Sequence, residues 1–163
     1  MLTTQEKVLF LRDIHTFEAL TSEQIEVLAD LSETRAFPSG SQIFQQGDFD
    51  NSVYIVLDGR VALERKINDE TDPILLTIIK PDQHFGEMSL FSHTPRSFTA
   101  TAIEDTVLLQ ILRDVFTAFI RQCPELLVEV NRSLNQRLME AYDQLSEVVQ
   151  SREPRELNTL FEF

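Results

Sequence analysis

Apolar and polar positions change their period twice along this chain, and the three stretches that result predict its elements. From Thr3 to Asp13, Val8, Leu9 and Leu11, continued by Ile14, give a helix with one apolar face. Phe17 and Leu20 read as a short turn packed on the core. Thr21-Ser22-Glu23-Gln24 has the form of a capped helix start, and Ile25, Leu28, Ala29 and Leu31 supply the buried stripe behind it. From Glu33 to Arg113 the pattern shortens to β-like runs separated by turns. Pro38-Ser39-Gly40 separates two of them. Ser52 to Leu57 is an apolar run closed by the hairpin signal Asp58-Gly59, and Val61, Leu63 and Arg65 then alternate with Arg60, Ala62 and Glu64. Asn68 to Asp72 is a polar loop. Ile74 to Ile79, Thr99 to Ile103 and Val107 to Leu112 are further strands, with Glu104-Asp105 between the last two. About eight short strands at this spacing predict a mainly β fold with flanking helices, a barrel or jelly roll.

From Asp114 the helical period returns. Val115, Phe116, Phe119 and Ile120 face one side, and Pro124 restarts the chain into a long helix that Pro154 ends. Along it, Leu127, Asn131, Leu134, Leu138, Ala141, Leu145 and Val148 are spaced four and three apart in turn, a heptad seam. Its early positions are expected to pack back onto the roll and its later ones to join a second copy in a parallel dimer. The boundaries are then N-terminal helices at 1–32, the β region at 33–113, C-terminal helices at 114–153 and a tail at 154–163. The apolar residues of that tail, Leu157 to Phe163, suggest no role.

At 163 residues and 42% hydrophobic, the chain fits one domain with a real core. No apolar run approaches membrane-spanning length, so membrane insertion is not expected, and Met1 to Lys7 lacks the features of a signal peptide. The single cysteine, Cys123, cannot form an internal disulfide, which points to a cytoplasmic setting and a packing role for the thiol. A net charge of −13 argues against nucleic acid as a partner, because such binding relies on a basic surface that displaces counterions. It also means that any anionic ligand must be captured locally, since salt screens the long-range repulsion over about 10 Å. His15, His84 and His93 have no metal-ligand spacing, so no metal is expected. Nucleophile elbows, phosphate-binding lysine loops and zinc-protease motifs are all absent, so an enzyme is not expected either.

One segment carries chemistry. It runs from Phe85 to Ala102 and reads F-G-E-M-S-L-F-S-H-T-P-R-S-F-T-A-T-A. Gly86 has no Cβ and lets the backbone approach a ligand. A short helix predicted over Glu87 to Phe91 offers unpaired N–H groups to negative charge. Arg96 can grip a phosphate with two parallel N–H bonds. Glu87 repels phosphate, so its presence suggests a sugar hydroxyl as its partner. Together these residues fit a small ligand bearing both a phosphate and a sugar.

At these positions the chain resembles the cyclic nucleotide-binding domain family, whose phosphate-binding cassette reads close to F-G-E-x-x-L, a short loop, then P-R-[AST]-x-[ST]. Phe85, Gly86, Glu87, Leu90, Pro95, Arg96, Ser97 and Thr99 meet that pattern. The resemblance continues in Phe37-Pro38-Ser39-Gly40, in Phe44-Gln45-Gln46-Gly47-Asp48 and in Tyr54 to Val61, and it spans roughly Phe10 to Val149. It implies that phosphate sits on Arg96 and on the N–H groups of Gly86, Met88, Ser89 and Ser97, with Glu87 on the ribose. It also implies a purine wall of Leu63 and Leu76 and, as in dimeric bacterial relatives, Ala141 and Tyr142 near the base. Tyr142 reads equally as a half-exposed position flanking the seam. Ser97 is compatible with either base, and the expected ligand is cAMP, with cGMP as the other candidate. A regulatory sensor module, read by a protein effector or fused to a larger protein, follows by resemblance.

Three departures from the pattern stand out. Phe98 occupies a place where alanine is usual, and it either narrows the pocket or points into the core. Pro81-Asp82-Gln83-His84 lacks the glycine common in the turn before F-G-E. Transcription factors that share the pattern continue into a helix-turn-helix after the long helix, whereas this sequence stops there, so a DNA-binding domain is not expected. The competing expectation is a domain that keeps the roll, has lost the nucleotide, and serves as a dimerising interaction module.

Overall fold

Two short helices open the chain, and each is started by a threonine. In the computed structural model, which describes residues 2–68, 70–92 and 94–150, α1 spans Thr4–Asp13 and α2 spans Ser22–Asp30. Thr3 and Thr21 each cap the third N–H of the helix, while Glu6 and Gln24 reach back to the cap's own N–H, so both starts are capping boxes. The pair at Thr21 is the one the sequence predicts. A 3₁₀ turn, His15–Phe17, joins the helices and buries Phe17, and Lys7 Nζ donates to Ser32 O at 2.7 Å across the end of α2.

Eight strands follow: β1 Glu33–Phe37, β2 Gln42–Phe44, β3 Ser52–Asp58, β4 Val61–Arg65, β5 Ile74–Ile79, β6 His84–Phe85, β7 Thr99–Ala102 and β8 Thr106–Leu112. They form two four-stranded antiparallel sheets, ordered β1-β8-β3-β6 and β2-β7-β4-β5. The fold is therefore mainly β with flanking helices, as the pattern predicts. The two-residue β6 goes unpredicted, since a run that short carries no period. Residues from both sheets fill the interior: Phe44, Tyr54, Val56, Val61, Leu63, Ile79, Phe85, Ala100 and Leu108 form one buried cluster. Each large apolar side chain buried there contributes about 1.5–3 kcal/mol. Phe98 packs part-buried against this cluster together with Phe37 and Ile43, so its ring points at the core.

The turn that lacks the usual glycine is made by Asp82, which takes φ 69. Aspartate tolerates this left-handed region better than most residues. Its N–H donates to Val56 O at 2.9 Å, and Gln83 O accepts from the Val56 N–H at 3.0 Å, which docks the turn on β3.

Within the cassette, α3 covers Met88–Ser92, one residue later than predicted, and α4 covers Arg113–Gln122. The last helix, α5, runs Pro124–Gln150, and the chain divides into compact units after Leu127. In the second unit Leu134 is half-buried, while Leu138, Ala141, Tyr142 and Leu145 are exposed. The side chain of Val148, the predicted stop at Pro154 and the tail lie outside the described residues. Among the described residues no helix is long and apolar enough to cross a membrane, and no group of three or more His, Cys, Asp or Glu is placed to hold a metal ion.

Candidate ligand-binding site

The cassette folds around the side chain of Arg96. After β6 the chain turns at Gly86, which takes φ 91, a conformation that favours glycine. A Cβ added to Gly86 would meet Arg96 Nη1 at 2.7 Å and Ser52 O at 3.0 Å. The place where a Cβ would stand on Gly86 is taken by the Arg96 guanidinium. Gly86 is thus required first as the seat of Arg96.

Arg96 is 3% exposed and makes four hydrogen bonds through its terminal nitrogens. Nη1 donates to Gly86 O at 2.6 Å and to Ser89 Oγ at 2.9 Å. Nη2 donates to Asp50 Oδ2 at 2.6 Å and to Ser52 O at 2.5 Å. The ring of Phe44 lies beneath the guanidinium, 4.2 Å from centroid to Cζ, and Tyr54 lies at 5.9 Å. Nε is buried and has no protein partner among the described residues.

The backbone of Arg96 is also tied down. Its N–H donates to Asp48 O, and its carbonyl accepts from the Gly47 N–H, both at 2.8 Å. Gln46 N–H donates to Thr99 Oγ1 at 3.0 Å one step further along. The loop between β2 and β3 is thereby clasped to the cassette, and it delivers Asp50. Asp50 Oδ2 accepts a second bond from the Tyr54 hydroxyl at 3.0 Å. Burial pushes the Tyr54 phenol up to about 12 from its ordinary 10, and the Asp50 charge beside it pushes the same way.

Of the residues expected at the phosphate and ribose, the structure brings Gly86, Ser89 and Arg96 into direct contact. Glu87 sits beside them, 1% exposed; Met88 is 48% exposed and Ser97 half-buried. Of the expected purine wall, Leu63 is buried in the interior cluster and Leu76 is 38% exposed on β5. Leu63 pairs with Thr77 and Glu64 with Leu75, so Leu76 falls at the bulge between the two pairs. Tyr142 lies on the separate helical unit, half exposed.

Asp50, Tyr54, Phe44 and the Ser52 carbonyl belong to the site and carry no role in the sequence reading. A signal for one of them existed, since a buried arginine needs a carboxylate. The choice among nearby acids was hidden in the loop's conformation: Asp48, two residues earlier, instead accepts from the Gln45 N–H through Oδ2 at 2.8 Å.

Comparison with known proteins bears on this site. A family model described as the cyclic nucleotide-binding domain matches residues 34–123, which takes in both sheets and the cassette. The cyclic AMP receptor protein of Thermus thermophilus is 35% identical over 125 residues, 77% of this chain and 57% of that protein. The regulatory subunit of cAMP-dependent protein kinase from Dictyostelium discoideum is 29% identical over 141 residues, 85% of this chain and 39% of that one. The crystal structure of the Thermus thermophilus catabolite activator protein superposes with a TM-score of 0.70 at 34% identity, covering 82% of this chain and 62% of the other. The chain spans less than two thirds of the length of each of these relatives.

Proposed function

Because the chain belongs to the cyclic nucleotide-binding domain family, we propose that it is a sensor module for cAMP, working as a dimer through α5. The observation that carries this reading is the state of Arg96. Four of its N–H bonds are spent on holding the guanidinium in place, and the fifth donor, Nε, is buried without a protein partner among the described residues. An unpaired buried donor costs about 1–3 kcal/mol, which an anionic oxygen placed on it returns. A cyclic phosphate on Nε and on the N–H groups of Gly86, Met88, Ser89 and Ser97 does this once the cassette shifts to admit it, since Nε is closed to solvent here. Glu87 takes the ribose hydroxyl, and the purine lies against Leu63 and Leu76. In this reading the ligand is held and released rather than transformed.

The dimer rests on the second unit alone. Leu138 and Leu145 are seven residues apart and leave about half of their surfaces exposed, 48% and 54%. Positions seven apart share one helix face, and an apolar seam of that kind is covered by a second copy of the helix. Ligand capture then biases a two-state arrangement that an effector reads.

Isothermal titration of the full chain, shown to be free of carried-over nucleotide, tests the ligand. Saturable binding of cAMP is expected, and Arg96→Ala weakens it by about 2–5 kcal/mol, at least tens-fold, with the circular dichroism unchanged. Equal affinity in Arg96→Ala removes the assignment of the phosphate. A preference for cGMP corrects the base. Sedimentation gives the oligomeric state, and a monomer at high concentration removes the dimer.

A further inference from the structure

Arg96 depends on Asp50 for one of its bonds, and Asp50 stands on a loop with its side chain 23% exposed. A half-wet carboxylate has several rotamers open to it. The second contact to the same Oδ2 oxygen, from Tyr54 at 3.0 Å, narrows that choice. Tyr54 is 5% exposed on β3, a strand held between β8 and β6, and its ring stacks on Phe85 with centroids 5.4 Å apart. It is a rigid base from which to fix a loop residue.

The direction of the phenol proton follows from its neighbours. On β8, Gln110 is the register partner of Tyr54, and its Nε2 lies 3.4 Å from the Tyr54 oxygen and 2.7 Å from Ser52 Oγ. An amide NH₂ only donates and an ionised carboxylate only accepts, so the hydroxyl receives from Gln110 and gives to Asp50. The Gln110 amide is oriented in turn, because its Oε1 accepts from Arg35 Nε at 3.0 Å.

We propose that Tyr54 is a positioning residue of the ligand site: its hydroxyl fixes the Asp50 carboxylate and, through it, the rotation of the Arg96 guanidinium and the aim of Nε. The inference rests on reading this site as one for a cyclic nucleotide phosphate. Without the phenol bond, Arg96 keeps its bonds to Gly86, Ser89 and Ser52, so it stays in place while its aim loosens. The hold on phosphate then weakens and that on the nucleoside does not.

Two readouts on the full chain test it, with Tyr54→Phe retaining the ring and Asp50→Asn as the second variant. The first needs no ligand: in protein labelled with ¹⁵N-arginine, the Arg96 Nε–H signal is identified by its loss in Arg96→Lys. In wild type it exchanges slowly with water, and in both variants it shifts and exchanges faster. The second compares cAMP with adenosine, which lacks the phosphate. Tyr54→Phe weakens cAMP about tenfold and leaves adenosine unchanged, since misplacing a positioning group costs on this scale. Combining it with Asp50→Asn adds nothing further, because the two act as one unit. An undisturbed Nε–H signal in Tyr54→Phe overturns the proposal whatever binds, and equal losses for cAMP and adenosine overturn it by assigning Tyr54 to general packing. A wild type that takes no cyclic nucleotide overturns the ligand reading, and the Nε–H signal still decides whether Tyr54 aims Arg96.

Discussion

Two arginines of this chain meet carboxylates at almost the same distance in opposite surroundings. Arg96 Nη2 and Asp50 Oδ2 are 2.6 Å apart, with the arginine side chain 2% exposed. Arg60 grips Glu104 with two bonds, Nε to Oε1 at 2.8 Å and Nη2 to Oε2 at 3.0 Å, and both side chains are more than two fifths exposed. By geometry alone the surface pair is the better one, since it is bidentate. By consequence it is the lesser. Water competes for both of its partners, whereas the buried pair holds a charge that has nowhere else to go. Distance describes such a contact, and burial decides what losing it costs.

The largest test of that contrast removes neither charge. Gly86→Ala places a methyl 2.7 Å from Arg96 Nη1 and 3.0 Å from the Ser52 carbonyl, at a φ of 91 that L-residues resist. The guanidinium must leave its seat, and its four bonds go with it. We expect a loss of about 2–4 kcal/mol in stability by denaturant titration, together with loss of nucleotide binding. If Gly86→Ala keeps wild-type stability, the seat is soft and the contrast fails.

Next in size is Asp50→Ala, which leaves the buried guanidinium without its counter-charge. Three neutral acceptors remain, Gly86 O, Ser89 Oγ and Ser52 O, so the expected cost is about 2–3 kcal/mol rather than outright unfolding. Asp48→Ala in the same loop is the matched control, since Asp48 caps the Gln45 N–H and does not meet the arginine. A control as costly as Asp50→Ala would assign the effect to the loop and not to the charge.

What the sequence revealed of this site divides along the same line as the two arginines. Features that repeat or sit next to each other in the chain are legible. The Ile74–Ile79 strand, the hairpin at Asp58-Gly59, the capped start at Thr21 and the grouping of Gly86, Glu87 and Arg96 all follow from spacing within about a dozen residues. Features set by long-range closure are not. Asp50 reaches Arg96 across 46 positions, and Tyr54 reaches Gln110 across 56. Nothing local distinguishes Asp50 from Asp48 before the loop is folded. A second reason for Gly86 is hidden in the same way, because the atom that needs its missing Cβ belongs to a residue ten positions on. At Asp82 the turn itself was expected, and the aspartate simply adopts the backbone a glycine would take.

The smallest prediction is the one that isolates burial. Hydrogen bonds from Arg60 hold the Glu104 carboxyl below its ordinary 4.5, and the arginine's charge adds to them. The folded pKa lies below the unfolded one, so whatever the pair contributes is full above about pH 4.5 and is lost as the pH falls through the lower folded value. Glu104→Gln should leave the thermal midpoint nearly unmoved at neutral pH in physiological salt. Any difference from wild type should vanish at high salt, where exposed charges are screened, and again in acid, where the wild-type carboxylate is protonated. Asp50→Ala should keep most of its cost in high salt, because its partner is out of reach of the ions. A salt-resistant loss at Glu104 as large as that at Asp50 would mean that two-handed geometry outweighs burial, and the ranking of the two arginines would have to be reversed.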